Sequence, residues 1–141
     1  MTTTLRGVCT LSLWAADLPA ATRWYTELLG APPYFTSEAA GRGPGYVEFR
    51  VGDYQHELGI IDRRFAPPGL ATERGGAVVY WHVDDVQGTF ERVLAMGATE
   101  LEGVRERGPG FVTVSVIDPF GNVLGLMFNR HYLDVLGGRH G

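Results

Sequence analysis

The sequence predicts an α+β fold built twice from one unit: a strand, a helix and then further strands. Two observations carry this. The first is an internal repeat. Val51-Gly-Asp-Tyr-Gln-His-Glu-Leu-Gly-Ile-Ile61 and Ile117-Asp-Pro-Phe-Gly-Asn-Val-Leu-Gly-Leu-Met127 share one pattern at an offset of 66 residues: apolar, turn, aromatic, turn, then an apolar run around Leu-Gly. Upstream, Leu11-Ser-Leu-Trp-Ala-Ala-Asp-Leu18 and Val79-Tyr-Trp-His-Val-Asp-Asp-Val86 match at an offset of 68. Each is a short apolar strand ending in Asp and an aliphatic residue. The second observation is that a helical pattern follows each of these strands.

The elements follow in order. After Asp17, residues Ala21, Trp24, Tyr25 and Leu28 obey the i, i+3, i+4, i+7 rule. Asp17 can accept from the orphan amides of the first turn, Pro19 suits that turn, and Gly30 can end the helix in a left-handed conformation. The predicted helix covers 18–29. In the second half Val86, Phe90, Val93 and Leu94 give one apolar stripe, closed by Gly97, so a helix is predicted over 86–96. Strands are predicted from Tyr46 to Val51 and from Phe111 to Ile117, with Gly121-Asn122 as a hairpin turn. Gly41-Arg-Gly-Pro-Gly-Tyr46 and Arg107-Gly-Pro-Gly-Phe111 precede equivalent strands and read as turns leading into them. Asp62 to Gly76 has the Pro, Gly and charge content of a linker. The tail from Asn129 adds a short helix, and its last five residues are expected to fray.

Length and composition fit one globular domain over 1–141: module one about 5–62, a linker at 63–74, module two about 75–128 and a tail at 129–141. Hydrophobic residues make up 45% and charged residues 20%, which suits a packed core. No apolar run approaches the roughly 18 residues that cross a bilayer. The N-terminus lacks the apolar segment of a signal peptide, so a cytoplasmic protein with no membrane partner is expected. A net charge of −4 with scattered basic residues argues against nucleic acid. Cys9 is the only cysteine, so neither an internal disulfide nor a thiolate cluster can form. Its apolar neighbours predict a buried, inert thiol.

Three stretches bring a family into view. They are Trp14-Ala-Ala-Asp-Leu-Pro-Ala-Ala-Thr-Arg-Trp-Tyr-Thr-Glu-Leu-Leu-Gly30, then Val83-Asp-Asp-Val86 with Ala95-Met-Gly-Ala98, then Asp118-Pro-Phe-Gly-Asn-Val-Leu-Gly125. In this order they resemble the vicinal oxygen chelate superfamily of glyoxalases, bleomycin-resistance proteins and extradiol dioxygenases, over roughly residues 7–128. The resemblance implies two βαβββ modules whose curved mixed sheets surround a cup, in a protein that is usually a homodimer. Metal-dependent relatives place four ligands in that cup. Carried over, those positions fall on Thr10, Gly59, Val78 and Gly125. Glycine and valine offer no donor side chain and threonine is a poor one, whereas a catalytic metal needs about three protein ligands. A one-residue error in register does not rescue the set, offering Leu11, Leu58 or Ile60, Val79, and Leu124 or Leu126. The resemblance therefore implies the fold without its usual metal, and no cofactor is expected.

Alternation along the strands then suggests what lines the cup. If those four positions face it, so do Ser12, Trp14, Glu57 and Ile61, together with Tyr46, Glu48 and Arg50. Module two would contribute Tyr80, His82, Val123 and Met127, with Phe111, Thr113 and Ser115. From these, the expected ligand-binding residues are Trp14, Tyr46, Glu48, Arg50, Glu57, Tyr80, His82, Phe111 and Met127. An apolar, aromatic pocket with few polar groups is the usual make-up of a small-molecule site. Each residue also has a plainer reading. Trp14 and Tyr80 could be core or interface aromatics, Glu48 and Arg50 a solvated strand face, and His82 a hydrogen-bonded structural residue.

No Gly-x-Ser-x-Gly, phosphate-binding glycine loop or His-Glu-x-x-His motif is present. The leading expectation is a metal-free, homodimeric binding protein for an aromatic or planar small molecule. Three alternatives stay open. One is a metalloenzyme with displaced ligands such as His82, Glu48 and Glu57. Another is a metal-free enzyme with His82 or Glu57 as its base. The last is an interaction domain with a collapsed cup.

Overall fold

The computed structural model describes residues 4–6, 8–38, 43–69 and 77–140, with the backbone alone at 139 and 140. It divides into two compact units, 1–70 and 71–141. In the first, β1 (Thr10–Ala15) is followed by α1 (Leu18–Leu29), β2 (Phe35–Glu38), β3 (Pro44–Val51) and β4 (His56–Asp62). The sheet order is β1-β4-β3-β2, with β1 parallel to β4 and the other pairs antiparallel. In the second unit, β5 (Tyr80–His82) is followed by α2 (Val86–Ala95), β6 (Thr99–Gly108), β7 (Phe111–Ile117) and β8 (Val123–Asn129), in the order β5-β8-β7-β6. Again only the β5–β8 pair is parallel. Each unit is thus βαβββ, and the chain is α+β as the sequence predicts.

The repeat holds at the level of register. Ser12 stands opposite Gly59, and Tyr80 opposite Gly125. Trp14 stands opposite Ile61, and His82 opposite Met127. The offsets of 68 and 66 read from the sequence relate each of these pairs to its counterpart.

The caps that define the helices form in both units. Asp17 Oδ1 accepts the Ala20 amide at 3.0 Å, and Asp85 Oδ1 accepts the Gly88 amide at 2.9 Å. Gly30 ends α1 with φ +78°, and its N–H donates to the Thr26 carbonyl at 3.0 Å. The helices bury the faces predicted for them: Leu18, Ala21, Trp24 and Tyr25 on α1, and Val86, Phe90 and Val93 on α2. Opposite α1 lie Val47, Phe49, Val51, Leu58 and Ile60; opposite α2 lie Val114, Val116, Leu124 and Leu126. Alternation on β3 is clean, since Val47, Phe49 and Val51 are buried while Tyr46 and Glu48 are half-buried and Arg50 is exposed. One face of each sheet is therefore sealed by its helix.

The β7–β8 turn shows why Asp118 is buried. Its Oδ1 accepts the amides of Phe120 (2.9 Å) and Asn122 (2.8 Å), and its Oδ2 accepts the Asn122 side-chain amide at 3.0 Å. The carboxylate serves as the hydrogen-bonding centre of the turn.

Three expectations need correction. Cys9 is exposed, not buried; it precedes the first residue of β1, and its apolar neighbours Leu5 and Val8 are themselves exposed. The helix after β8 is longer than expected: α3 runs Arg130–His140, through Gly137 and Gly138. It starts from Asn129, whose Oδ1 accepts the Tyr132 amide at 3.2 Å. The first strand of module two is also shorter, because Val78 and Val79 lie outside β5, although the Val79 carbonyl still accepts from the Gly125 N–H at 3.0 Å. The expected linker begins with a 3-10 turn, Arg63–Phe65, capped by Asp62, and its part at 70–76 lies outside the described residues.

Candidate functional site

Residues paired across a sheet stand on the same face, so the register fixes what the uncovered face of the first sheet presents. Three rows cross it. Thr10, Glu57 and Arg50 form one, Ser12, Gly59, Glu48 and Phe35 the next, and Trp14, Ile61, Tyr46 and Ser37 the third. The face grades from polar to aromatic.

The polar row is a connected chain. Thr10 Oγ1 donates to Glu57 Oε2 at 2.6 Å, and Arg50 Nη1 lies 3.3 Å from Glu57 Oε1. The Arg50 guanidinium also lies over the Tyr34 ring, 5.0 Å from its centroid. Both oxygens of Glu57 are therefore engaged. In the next row the Tyr46 hydroxyl donates to Glu48 Oε1 at 2.5 Å. The ring reaches this carboxylate by leaning over Gly59, so closely that a β-carbon at 59 would stand 2.6 Å from Tyr46 Cε1. Burial, and secondarily the negative charge of Glu57, raise the Tyr46 pKa above its ordinary value of 10.0. At neutral pH the phenol is a hydrogen-bond donor and not a base. Phe35 continues the aromatic surface, its ring 6.4 Å from that of Tyr46.

The second sheet repeats the frame with other side chains. Its open face carries the row Tyr80, Gly125, Ser115 and Glu102, followed by Met127, Thr113 and Arg105. Gly125 is covered as Gly59 is, but by its direct neighbour: a β-carbon there would stand 2.7 Å from Tyr80 Cδ1 and 2.8 Å from the Val79 carbonyl. Met127 Sδ lies 3.7 Å from the Asn129 side-chain amide. Phe111 sits beside His131, with ring centroids 5.4 Å apart.

His82 pairs with Met127 in register, yet its ring serves α3. It stacks on Tyr132 at 4.9 Å and 11°, and lies 5.2 Å from the Phe128 ring. Its Nδ1 accepts the Asn129 backbone N–H at 3.1 Å, which puts the ring proton on Nε2, 3.1 Å from Asp84 Oδ1. Its side chain is only 8% exposed. Acting as a general base would require His82 to release the Asn129 amide.

The sequence-predicted residues thus fall into two groups. Trp14, Tyr46, Glu48, Arg50 and Glu57 share the open face of the first sheet. Tyr80, Phe111 and Met127 stand on that of the second, and His82 turns to α3. Reasoning from sequence did not single out Tyr34 beneath Arg50, nor Arg107, Glu102 and Phe35. A glycine inside a strand does signal close approach of another group, and Gly59 and Gly125 carried that signal without saying which group approaches.

The positions that hold metal in metal-dependent relatives do not fit a metal here. Gly59 and Gly125 lie beneath tyrosine rings, so a ligating side chain could start at either only if the ring moved. Thr10 is hydrogen-bonded to Glu57, and Val78 is apolar. Among the described residues no three His, Cys, Asp or Glu side chains gather in a metal-binding arrangement.

A profile of the Glyoxalase/Bleomycin resistance protein/Dioxygenase superfamily matches residues 7–126. The chain belongs to this superfamily. Solved structures agree in fold. A glyoxalase-related enzyme from Fulvimarina pelagi is 22% identical, with a TM-score of 0.69 over 89% of this chain and 90% of that one. Protein ATC0852 from Agrobacterium tumefaciens is 25% identical, with a TM-score of 0.66 over 83% and 92%. A bleomycin resistance determinant encoded on the transposon Tn5 is 19% identical, with a TM-score of 0.59 over 87% and 98%. No curated protein sequence matches the chain significantly. Among the described residues no helix is long and apolar enough to cross a membrane.

Proposed function

We propose that this superfamily member is a metal-free binding protein that holds an aromatic or planar small molecule against an open sheet face. One observation carries the reading. At the two family ligand positions on β4 and β8 the chain has glycine, and each glycine lies under a tyrosine ring. Where metal-dependent relatives present donors, this chain presents aromatic surface, flanked on the first sheet by Trp14, Ile61 and Phe35. Stacking on such rings contributes about 0.5–1.5 kcal/mol beyond the burial of area. The Tyr46 hydroxyl, Glu48 and Arg50 supply the few polar groups that orient a ligand.

A metal-dependent enzyme with displaced ligands finds less support. His82 has both ring nitrogens engaged, and Glu57 has both oxygens engaged. We further propose that the chain works in the cytoplasm as a homodimer, because its exposed apolar residues, such as Val8, Val78 and Val79, favour pairing. Light scattering at micromolar concentration should then read two chains, and a monomer would remove that part.

The main test is thermal. A ligand stabilises a protein only through its binding to the folded state. Zn²⁺, Ni²⁺ and Mn²⁺ should leave the melting temperature nearly unchanged, whereas 2-naphthamide, a planar and uncharged probe, should raise it. Trp14→Ala should remove most of that rise. Calorimetry that finds a tight one-to-one metal site, lost in His82→Ala, would overturn the proposal in favour of the metalloenzyme.

A further inference from the structure

The open face of the second sheet carries a charge cluster that binding of a planar, uncharged molecule leaves unused. Arg107 lies near the end of β6, an edge strand whose pairing with β7 is interrupted by three register shifts. Bulges of this kind re-aim side chains. Here Glu102, Arg105 and Arg107 converge although they do not follow a simple alternation. Arg107 Nε donates to Thr113 Oγ1 at 3.0 Å, and Arg107 Nη2 pairs with Glu102 Oε1. Thr113 is a buried residue of the central strand β7, so the guanidinium is anchored at two points.

Charge balance separates this cluster from an ordinary surface pair. Glu102 also faces Arg105, with Nε 3.8 Å from Oε1, so among these three side chains one carboxylate answers two guanidiniums. Of the other acids on β6, Glu106 pairs with Val112, and the Glu100 carboxylate lies beside Gly103. The Nη1 end of Arg107 meets no partner among the described residues, and the side chain is 45% exposed. A guanidinium fixed through Nε and one Nη hydrogen still offers parallel N–H bonds from its far end, the geometry that matches a carboxylate. Met127, opposite Thr113 on β8, and Phe111, at the start of β7, provide the apolar surface beside it.

We propose that Arg107 is an anion-recognition residue: the open face of the second sheet binds a planar acid whose carboxylate docks on the Arg107 guanidinium and whose body lies on Phe111 and Met127. The planar body rests on the functional reading given above, whereas the acid rests on Arg107 alone. Because its side chain is held before any ligand arrives, little rotamer freedom is lost on binding. Glu102 sets its direction, and Arg105 keeps that carboxylate from cancelling the charge.

The experiment compares two probes of one shape, 2-naphthoate and 2-naphthamide, by calorimetry on the full chain. Naphthoate should bind about tenfold tighter or more, the scale of a charge-assisted hydrogen bond. Arg107→Gln should abolish that advantage and leave naphthamide affinity unchanged. Arg107→Lys, which keeps the charge but loses the fork, should recover only part of it. Since Arg107 also braces an edge strand, a second readout follows the Arg107 Nε–H resonance in the unaltered protein, which should shift as naphthoate is added and not with naphthamide. Equal affinity for both probes, with a silent Arg107 resonance, would overturn the carboxylate proposal and leave the planar-ligand reading standing. Naphthoate binding that needs Arg107 but is indifferent to Met127→Ala would do the reverse. If neither probe binds, both fall.

Discussion

In the first sheet Gly59 lies under a ring that leans across from β3, while in the second Gly125 lies under a ring that stands directly opposite it on β5. The two glycines are equivalent by register, but the tyrosines are not. Tyr80 corresponds to Ser12, and Tyr46 to Thr113. The open faces also differ in charge. The rows of the first carry Glu48, Glu57 and Arg50, with Glu57 tied to Arg50 and Thr10. The second carries Glu102 between Arg105 and Arg107. On the helix-covered faces the modules stay alike: Phe49 and Val116 are both buried, and Asp17 and Asp85 make the same cap. The covered face must pack against a helix, which fixes its side chains to apolar shapes. The open face has no such partner within its unit, so its residues can diverge in chemistry while the register stays fixed.

The two glycines should respond unequally to one added methyl group. At 59 the β-carbon would meet the far end of the Tyr46 ring, which can swing away by rotation about its side-chain bonds. At 125 it would meet the base of the Tyr80 ring and the Val79 carbonyl, and that carbonyl also accepts the Gly125 amide. Backbone cannot yield without losing the bond. Gly125→Ala should therefore cost about 2–3 kcal/mol, near the upper end for overpacking, and Gly59→Ala about 1 kcal/mol or less. Urea unfolding of the two variants measures both. Equal costs would mean that the two roofs are mechanically the same.

What the sequence could and could not disclose follows the same division. The helix-covered half was legible because its signals are local and periodic. The stripes on α1 and α2, the Asp caps, Gly30 and the strands Tyr46 to Val51 and Phe111 to Ile117 each follow from spacing and backbone chemistry. The repeat then fixed the order of elements. β6 was not singled out, because Thr99 to Gly108 is a charged edge strand that lacks the apolar alternation by which strands are recognised. On the open face, alternation assigned Tyr46, Glu48 and Arg50 to one side, but spacing says nothing about which way a side chain leans. The lean of Tyr46 over Gly59, the stacking of Arg50 on Tyr34 and the turn of His82 toward Tyr132 depend on contacts between distant parts of the chain. The position of Cys9 was misread for a related reason: apolar neighbours imply burial only where the segment belongs to a packed strand, and Cys9 stands just before one.

The smallest effect tests the half of the comparison that asserts sameness. Asp17 and Asp85 precede α1 and α2 at equivalent positions, and each carboxylate accepts one amide three residues on. Loss of such a cap typically costs about 1 kcal/mol, part of it from the hydrogen bond and part from the favourable placement of negative charge at a helix N-terminus. Asp17→Ala and Asp85→Ala should each lower stability by about that amount. Asp→Asn at either position keeps an acceptor oxygen and should cost less. The two sites differ locally in one respect, since the residue receiving the Asp85 carboxylate is Gly88, and a β-carbon there would collide with that carboxylate, whereas Ala20 already carries one at the matching place in α1. The small residue lets the Asp85 carboxylate lie closer over the first turn, but it adds no further hydrogen bond. If the modules are equivalent on their covered faces, the two alanine variants will agree within a few tenths of a kcal/mol in urea titrations. A cost at Asp85 several times that at Asp17 would show that this carboxylate does more than cap α2, and the open face would no longer be the only place where the two halves of the chain have diverged.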